Sequence, residues 1–555
     1  MVNENGRDIE VISPESPNEA AAMKGVCVMR VDRFRISSFR FPFRFDHLAL
    51  ALFICLIAVS TAFGTDDIQQ VDTETSRQLI KQADKFIKRG NLIEAEKLLL
   101  RAVDAGADNS FAKLRLAFVY VKQRRLLEAY EISLAIAKAE PKNSYAFAVL
   151  GTTMLSAGKF GDARALFLNS IRLNKKQALA WAGYGMLDFY ENRIQDSINN
   201  LQEAVFHDPE QPDYVFALAQ VSARSEKYKE AAEAYYRFLS LSRDTDDERR
   251  ARIKGLINFL NFLGQRQSLY STAGAGKTSI PFNLTGNRPI IQMKVNDRDE
   301  PLNFVLDTGS GISVISDKTA KRLKINPITK GGFAKGIGGD GKFEIVYGFL
   351  KQVDIGEVEI RNVPVYIRKF HNDGSNIDGY IGLSLISKFL TTIDYGNLTF
   401  SLTKALDPKE SVGPDKGVSL PLRLTSSGFL SGEVQLEGVE APLNFIVDTG
   451  ASVSVISAEV ASMDAISPFA NIEKMRVIGS AGVTDGVTSF QLPRVSFGEH
   501  SRKGITAIAL DLDLINEASG FEQAGILGGN FLRNYRMTFD FKNSKVTFVP
   551  ITVEQ

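Results

Sequence analysis

Cysteine is nearly absent from this chain. There are two in 555 residues, Cys27 and Cys55, and both precede residue 65. Everything after that point lacks the thiols for a disulfide or a thiolate metal site. Histidine is almost as scarce. His47, His207, His371 and His500 are scattered and do not cluster as ligands. A zinc mechanism and a Cys-His nucleophile are therefore both unsupported. Excess charge is missing too: the net value is +1, which indicates neither a nucleic-acid partner nor an acidic tail. Apolar content of 44% and charged content of 24% are those of an ordinary globular protein, and the length allows several domains.

One unbroken apolar run stands out, residues 48–59 (LALALFICLIAV). Arg30, Arg33, Arg35, Arg40 and Arg44 precede it, and the small-residue stretch STAFG at 60–64 comes after it. Basic, apolar and then small is the order of a secretory signal. The run is short for a spanning helix, which needs about 20 apolar residues. Extended through residue 63, it reads instead as an uncleaved anchor. The expectation for residues 1–64 is export, with the chain periplasmic, extracellular or tethered to the membrane by residues 48–63. Met23 and Met29 are alternative starts.

Next comes a 34-residue period, with windows starting at Ser76, Ser110, Ser144, Ala178 and Pro212. The eighth position of each window is small: Ala83, Ala117, Gly151, Gly185, Ala219. So is the twentieth: Ala95, Ala129, Ala163, Ser197, Ala231. Large apolar residues, such as Phe147 with Leu150 and Trp181 with Tyr184, recur between them. Small residues let the two helices of a hairpin approach, and large ones fill the layer between hairpins. The pattern resembles tetratricopeptide repeats. That resemblance implies an all-α solenoid over residues 76–264, closed by a helix at 247–263, whose concave face takes a protein partner or serves only as a spacer.

Residues 265–277 (QRQSLYSTAGAGK) read as a linker that leaves the repeats separable from the remainder of the chain. The string GAGKTS within and just after it is not a phosphate loop. The first glycine of that motif would fall at Ser271, and strands rather than a helix come next. Two all-β lobes are expected beyond it, at 278–405 and 417–551, joined by a linker at 406–416.

The lobes are copies. Residues 301–316 read PLNFVLDTGSGISVIS and residues 442–457 read PLNFIVDTGASVSVIS, at a constant offset of 141. Near each lobe's end, GYIGLSLISKFLTTIDY (379–395) matches GILGGNFLRNYRMTFDF (525–541). An apolar strand running into acid, hydroxyl and glycine carries a carboxylate to a tight turn. Alone, Asp-Thr-Gly is common in β-turns. Two copies in matched strands, each trailed by an apolar-apolar-Gly element, point to two halves of one site.

At these residues the chain resembles aspartic proteases, most closely the retropepsin-like branch, with both halves fused in one chain. The resemblance implies a bilobal all-β fold and a multidomain protein overall. It implies Asp307 and Asp448 as the catalytic pair, Thr308 and Thr449 as interlocking hydrogen bonders, and Gly309 and Gly450 as sites of close approach. Ser310 and Ala451 complete the turns. Glycine-rich stretches at 336–341 and 479–482 are expected as flaps, without the flap tyrosine of pepsin-like enzymes. The implied activity is endopeptidase, on a peptide or protein substrate, with one chain forming one active site. Two carboxylates sharing a proton activate water directly, so no cofactor or metal is needed. A peptide-binding or envelope scaffold protein that does not cut is the alternative. Because Ser310 faces Ala451 across the pair, a hydroxyl bond to Asp307 would put the negative charge on Asp307 and the proton on Asp448.

Overall fold

The computed structural model describes residues 65–551 except 107–108, 267, 340, 372–375, 405–416 and 422. The expected signal or anchor and the inter-lobe linker lie outside these residues. Among the described residues, no helix is long and apolar enough to cross a membrane.

Among the described residues, eleven helices come first. They are α1 (Thr65–Arg89), α2 (Leu92–Asp104), α3 (Ser110–Lys122), α4 (Leu126–Ala139), α5 (Ser144–Ser156), α6 (Phe160–Leu173), α7 (Ala178–Tyr190), α8 (Ile194–His207), α9 (Pro212–Arg224), α10 (Tyr228–Leu241) and α11 (Asp247–Leu263). Four window starts are the first residues of helices. Asn109 and Asn143 cap two of them by accepting from the N–H of Ala112 and Ala146, and proline opens a third. The small positions are the hairpin seams. Ala83, Ala95, Ala117, Ala129, Ala163, Ser197, Ala219 and Ala231 are fully buried. A Cβ at Gly185 would sit 2.8 Å from Leu201 Cγ.

The solenoid winds tightly enough for its first hairpin to touch its last. The Asp244 N–H donates to Arg89 O at 2.9 Å, and Lys88 pairs with Glu210 at 3.2 Å. Lys122 pairs with Asp213 between α3 and α9. An extended stack contacts only its neighbours. Here ion pairs span the inner face that was expected to receive a partner.

The strands form three sheets. Each lobe has its own, of nine and eight strands, and a six-stranded sheet is shared. At the centre of the shared sheet, Leu390–Asp394 of lobe 1 pairs antiparallel with Tyr535–Asp540 of lobe 2, Ile393 opposite Met537. Asp394 and Asp540 end these strands. Their carboxylates accept backbone N–H bonds from Gly396 and Asn543, which suits turn formation.

The stretch 265–277 is not a free tether. Ser271–Gly274 pairs with Val358–Arg368, Lys277–Pro281 pairs with Thr399–Thr403, and Leu269 and Tyr270 are buried in the lobe core. Small residues there fit a sheet edge as readily as a loop, so composition does not separate the two. Nor do the repeats stand apart. The α5–α6 turn, α7 and α9 pack on lobe 2. Phe521 of lobe 2 inserts into the repeat core against Phe160 and Tyr190, at ring distances of 4.9 and 5.0 Å. The Glu522 N–H donates to Ser156 O at 2.8 Å, and Arg224 reaches Thr425 O at 2.6 Å.

Two long hairpins, Thr329–Lys335 with Lys342–Ile355 and Ala470–Ile478 with Val483–Phe497, meet at their glycine-rich tips. The Ala481 N–H donates to Ile337 O at 2.8 Å, and the Ile337 N–H to Ser480 Oγ at 3.1 Å. Gly338, at φ +90°, leaves no room for a Cβ beside Gly482 O. Among the described residues, an α-helix backs the first hairpin and none backs the second. Helix α11 lies directly on it, with Gly255 against Gly331, Arg252 donating to Phe333 O at 3.2 Å, and Phe259 stacked 4.4 Å from Tyr347. The outer strand of the second hairpin is largely bare, with Ile472 98% exposed. Local opening tracks such differences in packing. In hydrogen exchange, amides of residues 470–478 should therefore exchange at least about tenfold faster than those of 329–335. Equal protection in the two hairpins would show that the helix behind the first does not stabilise it.

Candidate active site

Each acidic turn begins where a buried strand ends. Leu302–Leu306 delivers Asp307 and Leu443–Val447 delivers Asp448. Each strand lies parallel to the apolar-apolar-Gly strand of its own lobe, Val305 opposite Tyr380 and Ile446 opposite Ile526. The backbone N–H groups of the two aspartates donate to Ile381 O and Leu527 O, both at 3.0 Å, which holds the turns on that support. Beneath them, the N–H groups of Gly382 and Gly528 donate to Ser313 and Ser454 Oγ, both at 3.1 Å. A Cβ at Gly382 would sit 2.7 Å from Ser310 O.

The turns meet through their threonines. The Thr308 hydroxyl donates to Val447 O at 2.7 Å and accepts from the Thr449 N–H at 3.1 Å. The Thr449 hydroxyl donates to Leu306 O at 2.6 Å and accepts from the Thr308 N–H at 3.2 Å. Four bonds between buried groups leave the turns no freedom to slide. A Cβ at Gly450 would lie 2.7 Å from Asp307 Cγ, and one at Gly309 would collide with the Asp448 carboxyl. Each glycine is thus the floor under the opposite acid.

Both carboxyls are half-buried and close enough to act on one another. Burial pushes both above the usual carboxylate range, Asp307 much further, with the Asp448 charge adding to its rise. The partition of the proton is the reverse of that expected. The Ser310 hydroxyl donates to Ile312 O at 2.8 Å, so it has no proton for Asp307. The N–H groups of Gly450 and Ala451 donate to Asp448 at 2.7 and 3.2 Å, and the Gly309 N–H also favours its ionised form. Asp307 takes one backbone N–H, from Gly309 at 3.0 Å. Donors aimed at a carboxylate stabilise its charge. Asp448 is therefore the member whose charge the surrounding backbone supports better.

All eight turn residues expected at the site are brought together. Sequence reasoning misses Ser313 and Ser454, although both lie in the duplicated stretch at the same offset. It also misses Arg368, because its strand carries no local signal to set it near Asp307. A cavity of about 1000 Å³ lies elsewhere, between α9–α11 and the lobes, lined by Arg224, Tyr228, Tyr235, Tyr270, Tyr347 and Tyr366 among others.

Residues 291–385 and 432–531 match the family model of aspartyl proteases, and residues 185–247 match a tetratricopeptide-repeat model. No curated protein matches the chain. Among solved structures, a thermophilic tetratricopeptide-repeat protein of Thermus thermophilus is 18% identical, covering 33% of this chain and 98% of its own, with a TM-score of 0.28. A double mutant of MamA RS-1 is 18% identical, covering 31% and 97%, with a TM-score of 0.21. PilF of Pseudomonas aeruginosa is 16% identical, covering 35% and 86%, with a TM-score of 0.26. The chain therefore joins a segment that matches the tetratricopeptide-repeat model to a region that matches the aspartyl-protease model twice, the two copies meeting at Asp307 and Asp448.

Proposed function

We propose that this protein is an aspartic endopeptidase. The observation that carries the reading is the pair of adjoining carboxyls brought together by the threonine bonds between their two turns. Asp448, ionised, takes a proton from a bound water, which attacks the scissile carbonyl. Asp307, protonated, donates to the carbonyl oxygen. An extended peptide would lie under the hairpins as a β-strand. One chain supplies both halves, so a monomer suffices. The repeats hold the first hairpin and offer a surface for a protein partner. Export, or attachment through residues 48–63, belongs to the same reading, and fractionation of cells making the full chain tests it.

The pH dependence tests the chemistry. Activity needs one proton on the pair. Below the first ionisation both acids are neutral and no base remains. Above the second both are charged and no acid remains. Both groups are raised, so both limbs of the profile should lie above the ordinary aspartate value of about 3.9. The descending limb should lie well above it, because Asp307 is raised more. The assay is cleavage of a mixed peptide pool, read by mass spectrometry across pH. A descending limb below about pH 4 would contradict the assignment.

A further inference from the structure

The lobes are related as copies, so the two subsites beside the dyad would be expected to match. Their walls do not. Strand register identifies the equivalent positions. Ser457 lies opposite Leu510 in lobe 2, and its copy Ser316 lies opposite Arg368 in lobe 1. Ile526 and Tyr380 are twins by the same logic, opposite Ile446 and Val305. On the lobe-2 side, Leu510, Ile526, Ala451 and Val477 belong to one apolar cluster that also takes Ile337 from the opposite hairpin tip. On the lobe-1 side the same places hold Arg368, Tyr380 and Ser310.

Arg368 is the unusual member. Its guanidinium carbon stands 4.6 Å from the centre of the Phe343 ring in the first hairpin and 6.0 Å from that of Phe370. Phe370 in turn packs 5.2 Å from Tyr380. The cation is thus enclosed between hairpin and dyad, within electrostatic reach of Asp307. Its Nε has no hydrogen-bond partner, and no acid among the described residues lies within ion-pair distance of it. A guanidinium nitrogen buried without a bonding partner is costly, and a planar fork of donors suits a carboxylate.

We infer that Arg368 makes the lobe-1 subsite a receptor for an acidic side chain, while Leu510 keeps the lobe-2 subsite apolar, so that the preferred substrate carries Asp or Glu on one side of the scissile bond and an apolar residue on the other. The inference rests on the proteolytic reading of the site. Arg368 is here a specificity residue. It takes no part in proton transfer.

The experiment uses the full chain and a peptide set with constant flanks. The residues around the scissile bond are Glu-Leu, Gln-Leu and Lys-Leu, and the same pairs in reverse order. In one of the two orders, kcat/KM for the Glu peptide should exceed that for the Gln peptide by about tenfold or more. Arg368→Met should bring the two together, the Glu/Gln ratio of kcat/KM falling toward one. Arg368→Glu should invert the order in favour of Lys. Leu510→Arg, which disturbs a different wall, should add acid preference at the second subsite. Equal cleavage of Glu and Gln peptides by wild type overturns the inference and leaves the protease reading intact. If nothing is cut at any pH, peptide binding by calorimetry decides. Preferential Glu binding lost in Arg368→Met supports the subsite and sinks proteolysis, whereas indifferent binding sinks both.

Discussion

Asp307→Asn and Asp448→Asn should each abolish cleavage, by roughly 10³-fold or more, and the double variant should be scarcely worse than either. Each single change removes the shared proton, and the pair works only as a unit. The folded state should respond in the opposite direction. A carboxyl whose folded pKa is raised contributes stability only while protonated. That contribution is full below the unfolded value and is lost as pH rises through the folded one. Asp307 lies well above its ordinary value because of burial and the neighbouring charge, so wild type loses stability from about pH 4 upward. Asparagine carries no charge to bury. Asp307→Asn should therefore unfold at a higher temperature than wild type near pH 8, and the difference should shrink toward pH 3. Such a trade of stability against activity is usual for buried catalytic groups. Calorimetry of both proteins across pH, beside the peptide assay, checks the pair of effects. Near-wild-type turnover in either variant, with the fold intact, would favour the peptide-binding alternative.

Phe521→Ala should lower the unfolding temperature of the repeats and the lobes together. The ring is fully buried and belongs to the repeat core, although it lies in lobe 2, more than 350 residues beyond Phe160. Truncating a buried phenylalanine costs about 3–5 kcal/mol. Around it, Arg124 pairs with Glu522, and Lys159 donates to Pro442 O at 3.3 Å. At the other end, α11 supplies Phe259 and Leu263 to the core of the lobes. Deleting residues 65–264 would strip both contacts and uncover the first hairpin. The shortened chain should lose its cooperative transition, as read by calorimetry and near-ultraviolet circular dichroism. A cooperative transition at the wild-type temperature in the shortened protein would show that the lobes stand alone.

The parts of this protein that could be read residue by residue are those encoded by spacing. A 34-residue recurrence of small residues specifies hairpin seams, because close helix approach tolerates little else at Ala117, Gly151 or Ala163. Duplication of an acid-hydroxyl-glycine turn specifies a paired site, because each threonine hydroxyl bonds the backbone of the opposite turn. Both patterns are local, so they survive without coordinates. Four other features escaped because they are made by groups distant in the chain. Backbone N–H groups converge on Asp448 more than on Asp307, and the Ser310 hydroxyl turns away to Ile312. The stretch before Lys277 became sheet because Val358–Arg368 was there to pair with it. Arg368 faces the dyad, and the repeats are fused to the lobes through Phe521 and α11, only because the chain folds back on itself. Spacing therefore settled which residues form the site, and long-range packing settled how its charge is shared, what flanks it and what holds its first hairpin.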